Sequence, residues 1–148
     1  MFRNWTIFKT INHQVSLPYF ESGSIQYQMQ GKYVMSDLCT KYITIPVPKE
    51  VKADYVIKAT NYNAKGMKEI EKNSMVICES LNGFPEQGKI LVVNNKQYGT
   101  LIRRVHKNAD GKKYVLSTTN QESNELEINV KDTHILGKPT YVLSKLDN

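Results

Sequence analysis

Short apolar runs rich in β-branched and aromatic residues, separated by turn residues, constrain the fold of this chain more than any other feature. The runs cover residues 5–11, 41–47, 54–60, 74–79, 89–94, 126–130 and 135–143. Runs of this length suit strands, whereas most helices need at least about 10 residues. The spacing therefore predicts a mainly β fold built from short twisted sheets and hairpins.

One hairpin and one helical turn are predicted from local signals. Residues 98–106 and 113–118 form the arms of the hairpin, and Asp110 and Gly111 supply its turn. Only the charged stretch at residues 65–72 (KGMKEIEK) has the character of a short exposed helix. At most one short helical turn is therefore expected.

The chain length limits the number of domains. A chain of 148 residues, 40% of them hydrophobic and 23% charged, supports one core and leaves little room for a second. Residues 1–45 are polar and rich in Gln and Tyr, and we predict that they form an N-terminal arm and strand region. Residues 46–148 carry most of the apolar runs and are predicted to form the core domain.

The sequence gives no indication of a membrane protein or an exported protein. No stretch approaches the roughly 18 apolar residues that a membrane-spanning helix needs, and the first residues lack the apolar core of a signal peptide. Cys78 lies in an apolar run, so we expect a buried thiol and not a disulfide with Cys39. A cytoplasmic protein without a membrane partner is expected.

Common catalytic and cofactor motifs are missing from the sequence. It contains no Gly-rich phosphate loop, no GxGxxG and no GxSxG. His13, His106 and His134 are far apart and lack the spacing of metal ligands. We therefore expect no metal and no cofactor.

One ordered series of motifs does point to a family. The series begins with an acidic-aromatic-aliphatic strand at residues 53–59 and a Gly-Met turn at residues 66–70. An apolar strand at residues 74–78 and an apolar strand opened by Gly at residues 88–93 follow. A strand with a Thr-aliphatic-Arg-Arg pattern at residues 100–105 ends the series. In order and spacing it resembles the peptidase domain of the LexA/UmuD family of SOS-response proteins and phage repressors. The resemblance covers residues 15–143 and implies a fold like the C-terminal domain of LexA and UmuD. The family's amino-terminal DNA-binding helices are absent, so the layout is closer to UmuD.

The resemblance also implies that the catalytic residues are missing. These peptidases use a serine nucleophile and a neutral lysine as general base. Gly66 occupies the serine position, and either Ile102 or Arg103 occupies the lysine position. Glycine has no hydroxyl, isoleucine has no titratable group, and arginine stays protonated. The resemblance therefore implies an inactive pseudo-peptidase and not an enzyme.

Two further features of the sequence bear on the resemblance to the LexA/UmuD family. Ser22 and Gly23 resemble the Ala-Gly self-cleavage site of the family. The nucleophile of the family stands in a Ser-Met pair, and Ser74 and Met75 form such a pair, so an active self-cleaving serine peptidase that uses Ser74 is an alternative. In its other interpretation Ser74 is a polar residue that opens a strand.

The functional hypotheses follow from an inactive peptidase fold. The first is a dimerisation or protein-interaction module in a bacterial or phage stress-response, repressor, DNA-repair or defence context. Its partner would be a polymerase, a repressor or a subunit of a defence complex. By resemblance we expect a homodimer with residues 137–143 at the interface.

The alternative hypothesis is an accessory subunit that contacts nucleic acid. The net charge is +6, and five basic residues flank the predicted hairpin: Arg103, Arg104, Lys107, Lys112 and Lys113. Basic residues interleaved with aromatic residues can follow a phosphate backbone. Strand alternation puts Arg103 and Arg104 on opposite faces, which argues against a single basic patch.

Overall fold

A computed structural model of the chain describes residues 12–21, 41–119 and 125–144. These residues form nine strands: β1 (Asn12–Phe20), β2 (Lys41–Pro48), β3 (Tyr55–Lys58), β4 (Met75–Ser80), β5 (Lys89–Asn95), β6 (Gly99–Lys107), β7 (Lys113–Ser117), β8 (Leu126–Asn129) and β9 (Thr133–Leu143). The only helical element in the described part of the chain is a 3-10 turn at Val130–Asp132. The mainly β prediction is confirmed.

All nine strands belong to one mixed sheet. The strand order is β2-β1-β3-β4-β9-β5-β6-β7-β8. β1 and β3 are parallel, and every other neighbouring pair is antiparallel. The last strand, β9, lies in the middle of the sheet. It pairs with β4 along Gly137–Leu143 and with β5 along Thr133–Gly137.

Most predicted strands match observed strands to within about two residues. The predicted hairpin is present, with β6 and β7 as its arms. The prediction of a helical turn at residues 65–72 is wrong, because this stretch forms successive tight turns. Those turns bury Met67 and Ile70 in the core, so the charge pattern alone was misleading. The predicted run at residues 5–11 lies outside the described residues.

The sheet buries three apolar clusters. One packs β3 and β4 against the turns after β3, and it includes Phe20, Met67 and Ile102. A second lies under the β6–β7 hairpin, and a third packs β1 and β2 against β3 and β4. Both β1 and β2 contribute side chains to the third cluster. Residues 45 and 46, where the sequence analysis divides the chain, lie within β2.

The centre of the sheet is tightly packed at Gly137. A Cβ at this position would collide with the carbonyl oxygen of Glu79 and the hydroxyl oxygen of Tyr55. Only glycine allows β9 to approach β4 and the ring of Tyr55 this closely. In the described part of the chain, no helix has the length and apolar character needed to cross a membrane.

Candidate functional site

The loop after β3 is held in shape by two side chains that bond its own backbone. The hydroxyl oxygen of Thr60 accepts from the amide N–H of Asn63 at 3.0 Å. The side-chain oxygen of Asn63 accepts in return from the amide N–H of Thr60 at 2.8 Å. The side-chain amide of Asn63 also donates to the carbonyl of Lys58 at 3.0 Å. These bonds fix the loop by turn chemistry that Thr and Asn favour.

The same loop docks against the edge of β6. β7 pairs with β6 only along Arg104–Lys107, so the N–H of Ile102 needs another acceptor. The carbonyl of Asn63 supplies it, at 2.7 Å. The guanidinium of Arg103 donates to the same carbonyl at 2.7 Å and to the carbonyl of Ile102 at 2.8 Å. The loop that contains Gly66 and the strand that contains Ile102 and Arg103 are therefore neighbours.

Gly66 has a backbone conformation that favours glycine. Its φ is +80°, in the left-handed region. A Cβ built on Gly66 would lie 2.9 Å from both Cβ and Cγ2 of Thr118. The neighbouring Thr119 hydroxyl donates to the carbonyl of Gly66 at 3.1 Å and accepts from the N–H of Lys68 at 2.7 Å. The chain after β7 thus fills the space in which a serine side chain would begin.

Neither candidate for the lysine position offers a proton acceptor. Ile102 is fully buried and belongs to the same apolar cluster as Met67 and Ile70. Burial lowers the pKa of the Arg103 guanidinium, and the nearby Tyr62 opposes this shift. The guanidinium still acts as a donor, as its two bonds to main-chain carbonyls indicate.

The alternative nucleophile, Ser74, lies at the start of β4. It is 2% exposed, and its hydroxyl donates to the carbonyl of Glu71 at 2.6 Å. Its carbonyl accepts from the N–H of Ala59 at 2.9 Å. Among the described residues, no basic side chain forms a hydrogen bond with Ser74. This geometry corresponds to a polar residue that caps a turn and opens a strand.

A depression of about 590 Å³ lies beside Gly66. It is lined by Thr60, Asn61, Ala64, Lys65, Gly66, Met67, Lys68, Ile70 and Lys72. The sequence does not predict this depression, because the charge pattern of residues 65–72 is typical of an exposed helix. The Thr60–Asn63 pairing was the local signal that this segment forms turns.

Several of the basic residues of the hairpin are engaged within the protein. Arg103 bonds the carbonyls described above, and Arg104 donates to the carbonyl of Gly88. The ammonium of Lys107 lies 5.5 Å from the ring centre of Phe84 and 5.9 Å from that of Tyr114. Only Lys112 of the five is strongly exposed; Lys113 is partly buried.

The remaining predicted positions contribute no chemistry to this site. Ser22, Gly23 and Cys39 lie outside the described residues. Cys78 is fully buried, as predicted, and burial raises the pKa of its thiol. No group of three or more His, Cys, Asp or Glu side chains in the described ranges is arranged to hold a metal ion.

The comparisons with known proteins identify no family for this chain. The chain matches no protein-family model. No curated protein is significantly similar to it. The LexA/UmuD resemblance therefore rests only on the motifs in the sequence of this chain.

Proposed function

We propose that this chain is a catalytically inactive LexA/UmuD-like domain that acts as a protein-interaction and dimerisation module. The observation that carries the proposal is the closed site at Gly66. The position matched to the nucleophile has no side chain, and Thr118 occupies the adjacent space. The position matched to the base carries either a core isoleucine or a guanidinium that bonds main-chain carbonyls.

The positions of the two segments support the resemblance. The loop of Gly66 touches β6 next to Ile102, although about 40 residues separate them in the chain. An arrangement that once held a nucleophile near a base would require this contact. In this chain the contact consists of the carbonyl of Asn63, which accepts from the N–H of Ile102 and from the guanidinium of Arg103.

The first experiment asks whether the chain cuts itself. The purified full chain is incubated at alkaline pH, where a buried lysine would be neutral, and its intact mass is measured. We expect the mass to stay unchanged. A fragment ending near Ser22 would contradict the proposal.

Variants show which residue is responsible if cleavage occurs. Gly66→Ser alone is expected to remain uncut because no base is present, and its melting temperature is expected to fall because of the contact with Thr118. Cleavage by this single variant would show that a base is present and that the lysine position is misassigned. Ser74→Ala is the matched control: cleavage by the wild-type chain that disappears in Ser74→Ala would establish the alternative peptidase.

A role in nucleic-acid binding receives less support. Arg103 and Arg104 bond internal carbonyls, and Lys107 lies over two aromatic rings. Phosphate contacts by these side chains would have to replace those interactions. The protein-interaction proposal needs no such rearrangement.

A further inference from the structure

The depression beside Gly66 carries three lysines whose charges have no internal partner in the described part of the chain. Lys65, Lys68 and Lys72 are exposed, and none forms an ion pair with a described carboxylate. Glu69 and Glu71 lie on the same turns but do not line the depression. The charged residues that line the depression are therefore basic, and the exposed carboxylates of Glu69 and Glu71 lie outside its lining.

The floor of the depression is apolar and firmly held. Ala64, Met67 and Ile70 are 4–6% exposed and belong to the cluster under β3 and β4. Successive backbone bonds from Met67 to Ala64 and from Ile70 to Met67 hold the turns in place. A volume of about 590 Å³ lies within the range of sites that bind small ligands, and it has room for one or two side chains of a partner.

We propose that this depression docks a short acidic segment of a partner protein, with an aliphatic side chain on the floor and carboxylates facing the three lysines. The inference rests on the proposed function, because it assigns a partner class to the inactive module. A partner with this chemistry complements both the charge of the rim and the apolar character of the floor.

The lining favours a peptide over a nucleic acid. Ammonium groups attract carboxylates and phosphates alike, so charge alone does not separate the two. Proteins that bind single strands add aromatic side chains on which bases stack. Among the described residues, no aromatic side chain lines this depression, and its floor is made of aliphatic side chains and methionine.

The test measures binding of a defined probe to the full chain. The probe is a fluorescein-labelled peptide in which a central leucine is flanked on each side by glutamates. A second peptide carries glutamine in place of glutamate, and a single-stranded oligonucleotide with the same label serves as the competing class. Fluorescence anisotropy is recorded at salt concentrations of about 0.05 M and about 0.5 M, because screening weakens contacts between exposed charges.

Charge variants locate the site. The triple variant Lys65→Gln, Lys68→Gln and Lys72→Gln removes three charges from the rim without introducing repulsion. The matched control changes three exposed lysines elsewhere, Lys49→Gln, Lys96→Gln and Lys112→Gln, and gives the same net charge. Circular dichroism of both variants shows whether each remains folded. If the triple variant does not fold, the single Lys68→Gln is compared with Lys112→Gln.

We expect the acidic peptide to bind at low salt, and the rim variant to weaken its binding about tenfold, as the loss of several surface ion pairs would. The control variant should leave the affinity within about twofold. Equal weakening by both variants, tighter binding of the oligonucleotide, or equal binding of the glutamine peptide would overturn the inference. Absence of peptide binding by an uncut wild-type chain would also overturn it, but would leave the proposed function standing. Cleavage of the probe, seen by mass, would overturn both.

Discussion

At Gly66, a backbone torsion and a neighbouring side chain act together. A left-handed φ costs a serine about 1 kcal/mol or more, and the contact with Thr118 adds to this cost. A serine placed here would therefore need adjustment of both the loop and the end of β7. The backbone torsion and the contact with Thr118 therefore both disfavour a side chain at position 66.

Cys78 provides a prediction of pH dependence at the scale of one residue. Its side chain is fully buried, and its Sγ donates to the carbonyl of Val76 at 3.5 Å. Burial raises the pKa of the thiol, while a hydrogen bond with Tyr55 lowers it and the charge of Asp54 raises it. In the unfolded chain the thiol loses its proton above pH about 8.5. The folded chain retains the proton there, so folding stability must fall as the pH rises.

Urea unfolding between pH 8 and pH 11 measures this dependence. Above pH about 9, the free energy of unfolding of the wild-type chain should fall by about 1.4 kcal/mol per pH unit relative to that of Cys78→Ala. Titratable groups distant from Cys78 contribute equally to both curves, so the difference between the two variants removes their contributions. Parallel curves over the whole range would show that the thiol titrates in the folded protein.

At the scale of elements, the loop after β3 replaces a strand. β7 covers only part of β6, and the carbonyl of Asn63 satisfies the N–H of Ile102 that β7 leaves free. Arg103 reinforces this junction from the side. These bonds fix the loop on the part of β6 that β7 leaves unpaired. A segment without regular structure therefore forms a defined depression.

The contribution of Arg103 is measured by substitution. Arg103→Met keeps the aliphatic stem and removes the guanidinium bonds to the carbonyls of Asn63 and Ile102. We expect a loss of about 1–2 kcal/mol in the free energy of unfolding, since bonds from charged donors are stronger than neutral ones. Lys112→Met is the control at an exposed position and should change stability by less than about 0.5 kcal/mol. Equal effects of the two substitutions would show that the guanidinium does not stabilise the junction.

The sequence predicted the strands better than the junction between loop and strand. Runs such as residues 89–94 are apolar and β-branched over a strand length, so local composition predicts them. The turns at residues 65–72 were misassigned because their charge pattern is typical of an exposed helix, whereas Met67 and Ile70 are buried in the core. The close approach of Thr118 to Gly66 is not predictable from the residues around either position. It depends on where β7 ends relative to β3, which is a property of strand order.

At the scale of the whole molecule, the edges of the sheet limit how a second copy can bind. β2 lies at one edge, and Pro46 and Pro48 remove two N–H donors from it, which disfavours addition of a strand. At the other edge, β8 has only four residues. Along Lys138–Leu143, β9 pairs with β4 on one side, and no described strand pairs with its other side.

A homodimer formed at this unpaired side of β9 is the prediction at this scale. Two copies related by a two-fold axis would pair these segments antiparallel through backbone groups that no described strand pairs, with Pro139 contributing a carbonyl but no N–H. Sedimentation equilibrium should then show a monomer–dimer equilibrium. Hydrogen exchange at residues 138–143 should slow as the protein concentration rises from about 1 µM to about 100 µM. The amides of β7 are paired within one chain and serve as the control, since their exchange should not depend on concentration. A monomer throughout this range would contradict the predicted interface, whereas dimerisation with unchanged exchange at residues 138–143 would assign the contact to another surface.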